Sequence, residues 1–255
     1  MRFAVRAAYP EEGGRGWDDI IRSFEPVGWV EVAFANPGLF ESVPVEAVVE
    51  PFETSSVRAA AVHMAYAKVS DLRQFERTLS RTLEIADRLA VRHIVAHPNR
   101  GRLSDVLSFL DGEISPLLRS SDKILCWEVF DNRRRILGGL KEVVAFCRER
   151  QNFRACYDFS HVNGSQSDVE SEVLEYLDWI AHFHVSNRVR AGRIQHLPVF
   201  WNEEAGDFGR DLDLESILRL LAGEGYAGTV TLEYQSQFDS RLVPDALRLI
   251  EIFPG

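Results

Sequence analysis

Histidines and carboxylates recur along this chain at intervals that suit one kind of chemistry. His63, His97, Glu128, Asp158, His184 and Glu233 follow one another at steps of 34, 31, 30, 26 and 49 residues. Carboxylates brought close together repel one another and are costly to desolvate unless a cation sits among them. A divalent metal ion is the simplest such cation. Glu128, Asp158, His184 and Glu233 make a three-oxygen, one-nitrogen donor set, which suits Mn, Mg, Co or Zn without choosing between them. His63 and His97 suit a second, more zinc-like ion bridged by Glu128. The expected cofactor is therefore one or two divalent ions.

Such a set works only if the fold gathers it, and the spacing indicates how. Short apolar runs rich in β-branched residues alternate with stretches of helical period. Eight strand candidates result: Arg2–Ala7, Gly28–Phe34, Arg58–Met64, His93–His97, Lys123–Val129, Phe153–Asp158, Trp179–Val185 and Thr229–Glu233. After Asp71, a capping residue with Gln74 three positions on, the apolar positions Leu72, Phe75, Leu79, Leu83, Ala86 and Ala90 form one helical stripe. Asp213 caps a helix carrying Leu214, Ile217, Leu218 and Leu221, with Gly223 as its stop. Leu137, Leu140, Val144 and Cys147 mark another helical face, and Glu11 to Phe24 carries a glycine-rich, weaker helical pattern.

Strands alternating with helices imply parallel strands joined by crossover helices. Eight repeats in 255 residues fit a closed (β/α)8 TIM barrel of one domain, 1–255, better than an open sheet. No GxGxxG follows a strand and no P-loop is present. Each of the six residues lies at or near the end of its strand, so a barrel brings them to its C-terminal mouth. Alternation adds that Thr229, Thr231 and Glu233 share the inner face, as do Cys126 with Glu128, Cys156 with Asp158, and His182 with His184. Taken singly, each histidine reads as a structural residue and each carboxylate as a helix cap. Their recurrence at successive strand ends argues for a shared centre.

Composition bounds the rest. With 29 Lys and Arg against 39 Asp and Glu, the formal charge is −10, which argues against nonspecific nucleic-acid binding. No apolar run reaches the roughly 18 residues of a membrane span, and with no export signal the expected compartment is the cytoplasm. Cys126, Cys147 and Cys156 form no CxxC pair and read as small buried hydrophobes. His93 is expected at the far, stabilising end of the barrel, and His182 in the core or behind the ligands. Glu31 and Arg6 are expected to pair inside the barrel. The Arg133–Arg135 run reads as a solvated loop, with phosphate binding at the mouth as the alternative.

These residues resemble the xylose-isomerase-like TIM-barrel superfamily, which holds sugar isomerases and epimerases and also the endonuclease IV type of abasic-site nuclease. The resemblance runs from Gly28-Trp29-Val30-Glu31-Val32 to Gly225-Tyr226-Ala227-Gly228-Thr229-Val230-Thr231-Leu232-Glu233. It implies that Glu128, Asp158, His184 and Glu233 are shared metal ligands, and that His63 and His97 are ligands of the nuclease kind. It also implies substrate contacts by His161, Arg190 and His196, with His161 matching a third-metal ligand in the nucleases. The chain departs from the nuclease pattern at Ile194, where an aspartate is expected two residues before His196, and in the longer Val199-Phe200-Trp201-Asn202-Glu203-Glu204 segment.

The leading expectation is an isomerase or epimerase acting on a small sugar or sugar-phosphate-like carbonyl compound. Glu128 and Glu233 would remove and return a proton, while His161, Arg190, His196 and Trp201 would bind substrate. The alternatives are zinc-dependent phosphodiester cleavage at abasic DNA and a sugar-binding module without catalysis. The sequence leaves the oligomeric state open.

Overall fold

The computed structural model describes residues 1–11, 14–132, 134–189, 194–201 and 212–254. Its strands are β1 (Arg2–Ala8), β2 (Trp29–Ala33), β3 (Arg58–His63), β4 (His93–Ala96), β5 (Ile124–Glu128), β6 (Phe153–Asp158), β7 (Ile180–Val185), β8 (Asn187–Val189), β9 (Ile194–Leu197) and β10 (Thr229–Leu232). Eight of these close into a barrel in the order β1-β10-β7-β6-β5-β4-β3-β2, and every neighbouring pair is parallel. This is a single-domain TIM barrel. β8 and β9 pair separately as an antiparallel ribbon. Part of the long stretch between β7 and β10 is therefore ordered by a ladder of its own.

Side-chain alternation separates two interiors. Phe3, Val5 and Ala7 of β1 join the large apolar core between strands and helices, as do Val30 and Val32 of β2. On the other face, Ala61, Val95, Cys126 and Cys156 form a small cluster of their own inside the barrel. These four come from consecutive strands, β3 to β6. Polar residues fill the interior elsewhere: Glu31, His182 and Thr231 are fully buried. All three cysteines are buried and free, and burial pushes their thiols up, that of Cys147 to about 12.

The helices are α1 (Trp17–Ser23), α2 (Pro37–Ser42), α3 (Val45–Glu53), α4 (Leu72–Arg88), α5 (Leu103–Phe109), α6 (Ser115–Ser120), α7 (Leu140–Arg148), α8 (Gln166–Tyr176), α9 (Leu214–Gly223) and α10 (Asp239–Ile252). Asp71 accepts from the Gln74 amide at 3.1 Å and starts α4, whose Phe75, Leu79, Leu83 and Ala86 are buried. The ends of that stripe overrun the sheet: Leu72 stays 38% exposed and Ala90 lies beyond the helix. Asp213 caps α9 through the Ser216 amide. The stop differs from expectation, because α9 includes Gly223 and the left-handed residue is Gly225, at φ +77°. Only glycine takes that conformation cheaply. No helix among the described residues is long and apolar enough to cross a membrane.

Candidate metal centre

Each of the six candidate ligand side chains reaches the same end of the barrel from a different strand. Ligand atoms of Glu128, Asp158 and His184 all lie within 4.8 Å of one another, as do those of His63, His97 and Glu128. Glu233, one residue past β10, places Oε2 2.9 Å from Nδ1 of His184. The same nitrogen is 3.8 Å from Asp158 Oδ2 and 4.0 Å from Glu128 Oε2. Glu128 is the hub. Its Oε2 is 3.1 Å from His63 Nε2 and 2.9 Å from His97 Nε2, and its Oε1 is 3.3 Å from His161 Nε2.

Burial makes this arrangement costly without a cation. Glu128, Asp158 and His184 are at most 1% exposed. Asp158 Oδ2, His184 Nδ1 and Glu233 Oε2 are buried and have no hydrogen-bond partner; the 2.9 Å approach between the last two has the wrong angles to be one. Buried polar atoms are nearly always satisfied, so three unpartnered atoms facing one volume fit a divalent ion. Burial alone would push the carboxyl of Glu128 up, but His97, His161 and His63 outweigh it and hold it well below the ordinary carboxylate range. His184 shows the reverse balance. Burial lowers it, yet the carboxylates of Glu31, Glu128 and Asp158 together raise it to about 9 in the ion-free protein. Burial dominates at His63 and takes it down to about 4.

Glu31 plays a part that sequence reading missed. Rather than pairing with Arg6, it lies under the centre with Oε2 2.8 Å from His182 Nε2 and both oxygens 3.1 Å from His184 Nε2. Thr231 Oγ1 completes the set at 2.9 Å from His182 Nε2. Burial would raise the Glu31 carboxyl, but His184 and His182 hold it well below its usual range. An ionised carboxylate only accepts hydrogen bonds, so Nε2 of His184 carries a proton. A neutral imidazole then presents its lone pair at Nδ1, toward the carboxylates. This is the usual way in which an outer carboxylate fixes the tautomer of a metal-binding histidine.

Arg6 pairs instead with Glu233 Oε1. The cause lies in strand register. Arg6 does sit opposite Glu31 across β1 and β2, but Val5 pairs with Leu232 on the other side, which brings Glu233 level with Arg6. The long guanidinium stem climbs to the mouth, where the side chain is 25% exposed, and the shorter Glu31 remains inside.

The remaining predicted residues divide. His161 lies beside Glu128 and 3.6 Å from Asp158 Oδ2, and its ring stacks on Phe130 at 4.2 Å. His196, on the ribbon strand β9, joins Asp158 and His161 in a third group with mutual separations under 4.8 Å, and its Nδ1 faces Ser186 and Ser160. Trp201 makes its ring contact elsewhere, edge-on to Phe238 at 5.0 Å, with a buried and unpartnered indole N–H. Ile194 is 41% exposed and supplies no donor. Arg190 lies outside the described residues, as do Arg133 and the Asn202-Glu203-Glu204 part of the rim. His93 is half-buried at the opposite end of β4 from His97, held neutral to about pH 4 by burial and by the charges of His182, Arg92, Arg2 and Arg154.

Comparison with known proteins gives the same architecture. A family model described as xylose isomerase-like TIM barrel matches residues 60–251. No curated protein matches the chain. Among solved structures, 3-keto-D-glucoside 4-epimerase from E. coli superposes with a TM-score of 0.72 at 14% identity, covering 99% of each chain. D-allulose 3-epimerase from Methylomonas sp., in complex with D-allulose, gives 0.72 at 15% identity over 99% of this chain and 96% of its own. Endonuclease IV from Thermus thermophilus gives 0.68 at 17% identity over 99% of this chain and 100% of its own.

Proposed function

The chain belongs to the xylose isomerase-like TIM barrel family, and on that premise we propose that it is a divalent-metal-dependent isomerase or epimerase that moves a proton beside the carbonyl of a small sugar-like substrate. The observation that carries this reading is the convergence of the unpartnered buried atoms of Asp158, His184 and Glu233 on the side of Glu128. Glu128, Asp158, His184 and Glu233 would hold the ion. When bound, such an ion polarises a carbonyl and lowers the pKa of the adjacent C–H.

The protein's own groups do the rest. Glu128 and Glu233 reach the centre from β5 and β10, two strands that are not neighbours in the barrel, so they can address a substrate from two sides. One removes the proton and the other returns it. Arg6 anchors Glu233 through its other oxygen, leaving Oε2 turned toward the centre. His161, packed between Glu128 and the Phe130 ring, is placed to orient a substrate oxygen. Similarity to D-allulose 3-epimerase and 3-keto-D-glucoside 4-epimerase supports a sugar-like substrate.

A nuclease reading draws on the group formed by His63, His97 and Glu128. The net charge of −10 and the exposed Ile194 in place of an acidic ligand count against it.

The test is solvent exchange. Metal-loaded protein should exchange a carbon-bound hydrogen of a bound ketose with deuterated solvent, and Glu233→Gln should abolish this while the fold persists. Undiminished exchange in the variant removes Glu233 from the mechanism. Robust nicking of abasic duplex by the wild type would favour the nuclease instead.

A further inference from the structure

A pair of cations at the mouth takes no part in the centre. Arg135 lies in the loop between β5 and α7, and Arg100 in the loop after β4. The two loops are stitched together by an antiparallel bridge between Arg100 and Arg135, by the Gly101 amide donating to Arg134 O at 3.3 Å, and by the Ile136 amide donating to Asn99 O at 2.8 Å. Asn99, 2% exposed, ties this ribbon to the rest of the rim by donating to Ala67 O at 2.6 Å and His97 O at 3.2 Å. The backbone thus fixes where these arginines stand.

The guanidinium of Arg135 rests 3.9 Å above the Phe130 ring. Phe130 in turn stacks on His161 at 4.2 Å, and His161 Nε2 is 3.3 Å from Glu128. Arg135 is therefore one aromatic ring away from a side chain of the centre. Its Nε is buried and has no hydrogen-bond partner. Among the described residues no carboxylate lies within ion-pair distance of Arg135 or Arg100. Stacking uses only the face of a guanidinium and leaves its in-plane N–H edge free to grip an oxyanion with two parallel hydrogen bonds. Two like charges held on stitched loops, one with an unanswered buried donor, are the complement of an anion.

We propose that Arg135, assisted by Arg100, forms an oxyanion subsite at the barrel mouth, so that the substrate carries a phosphate or carboxylate group at one end and its reacting carbonyl at the other. The word substrate rests on the function proposed above; the subsite itself rests on the arginines. The separation, about the thickness of two stacked rings, suits a short polyol chain between the two groups.

Calorimetric titration of the full-length protein as purified tests this with three sugars: D-fructose, D-fructose 6-phosphate and D-glucuronate. At least one charged sugar should bind about tenfold or more tighter than D-fructose. Preference for the phosphate ester assigns phosphate, and preference for the uronate assigns carboxylate. Arg135→Met, which keeps the contact with Phe130, should erase the preference and leave D-fructose binding unchanged; Arg135→Lys should restore part of it. No preference in the wild type, or a preference that survives Arg135→Met, overturns the proposal. Glu233→Gln separates this outcome from the function itself, since it should lose solvent exchange and keep the anion preference.

Discussion

Nδ1 of His184 stands 2.9 Å from Oε2 of Glu233, and the two atoms do not hydrogen-bond although both are buried. Both atoms face the same small volume as Asp158 Oδ2. A cation shared by the two side chains would answer the missing bond.

Glu31 should govern how well that cation is held. Replacing it with Gln keeps the volume but weakens the acceptor that fixes the proton on Nε2 of His184. Metal affinity, measured by competition with a chromogenic chelator, should fall by about 10–100-fold with circular dichroism unchanged. Glu31→Ala is a different case. It leaves two buried imidazoles without their partner, and the loss of about 3–5 kcal/mol in denaturant unfolding is the expected scale for breaking such a pair.

Metal loading should release protons. In the ion-free protein the His184 imidazole is raised to about 9, so it is charged at neutral pH. Coordination through Nδ1 needs the neutral ring. Titrations at pH 7 in buffers of different ionisation enthalpy should therefore report a net release of about one proton from His184. The release should shrink as pH passes 9. A stoichiometry of zero at every pH would mean that His184 is not charged in the ion-free protein.

The ion-free protein should be most stable near pH 6.5, the ordinary histidine value. His63 and His93 are lowered to about 4, so between pH 4 and 6.5 the unfolded chain binds more protons and stability rises with pH. His184 is raised to about 9, so between 6.5 and 9 the folded chain binds more and stability falls. Each pH unit over which one histidine differs in protonation changes stability by about 1.4 kcal/mol. Denaturant melts across this range should trace a maximum, and added metal should flatten its alkaline side.

Much of this was readable in the sequence because alternation and strand length report local geometry. Phe153–Asp158 is a strand to the residue, and the other barrel strands differ from expectation by one or two residues at their ends. The convergence of His63, His97, Glu128, Asp158, His184 and Glu233 was readable because each sits at or near the end of its own strand, so it follows from barrel closure alone. Partnerships across the interior were not. Glu31 and His184 are 153 residues apart and meet only through the tilt of strands in a closed barrel. Arg6 faces Glu31 in strand register but binds Glu233, because side-chain length and access to solvent decided the pairing. The ribbon of β8 and β9 carries His196, yet its strands of three and four residues are too short for alternation to announce.

Inside the barrel, Cys126 and Cys156 pack with Ala61 and Val95 beneath the polar centre, and Cys147 faces the sheet from α7. None of the three thiols should react with a disulfide reagent at pH 8 in the folded protein, and all three should react once it is unfolded. Rapid labelling of native Cys126 or Cys156 would mean that the barrel interior is open, and of Cys147 that α7 lifts from the sheet.

The proposed centre places one ion among four side chains from four strands. Anomalous diffraction from crystals soaked in Mn is the most direct test. A peak should appear within coordination distance of Glu128, Asp158, His184 and Glu233. A fully soaked crystal with no peak at that point, or with its peak bound to other residues, would contradict it.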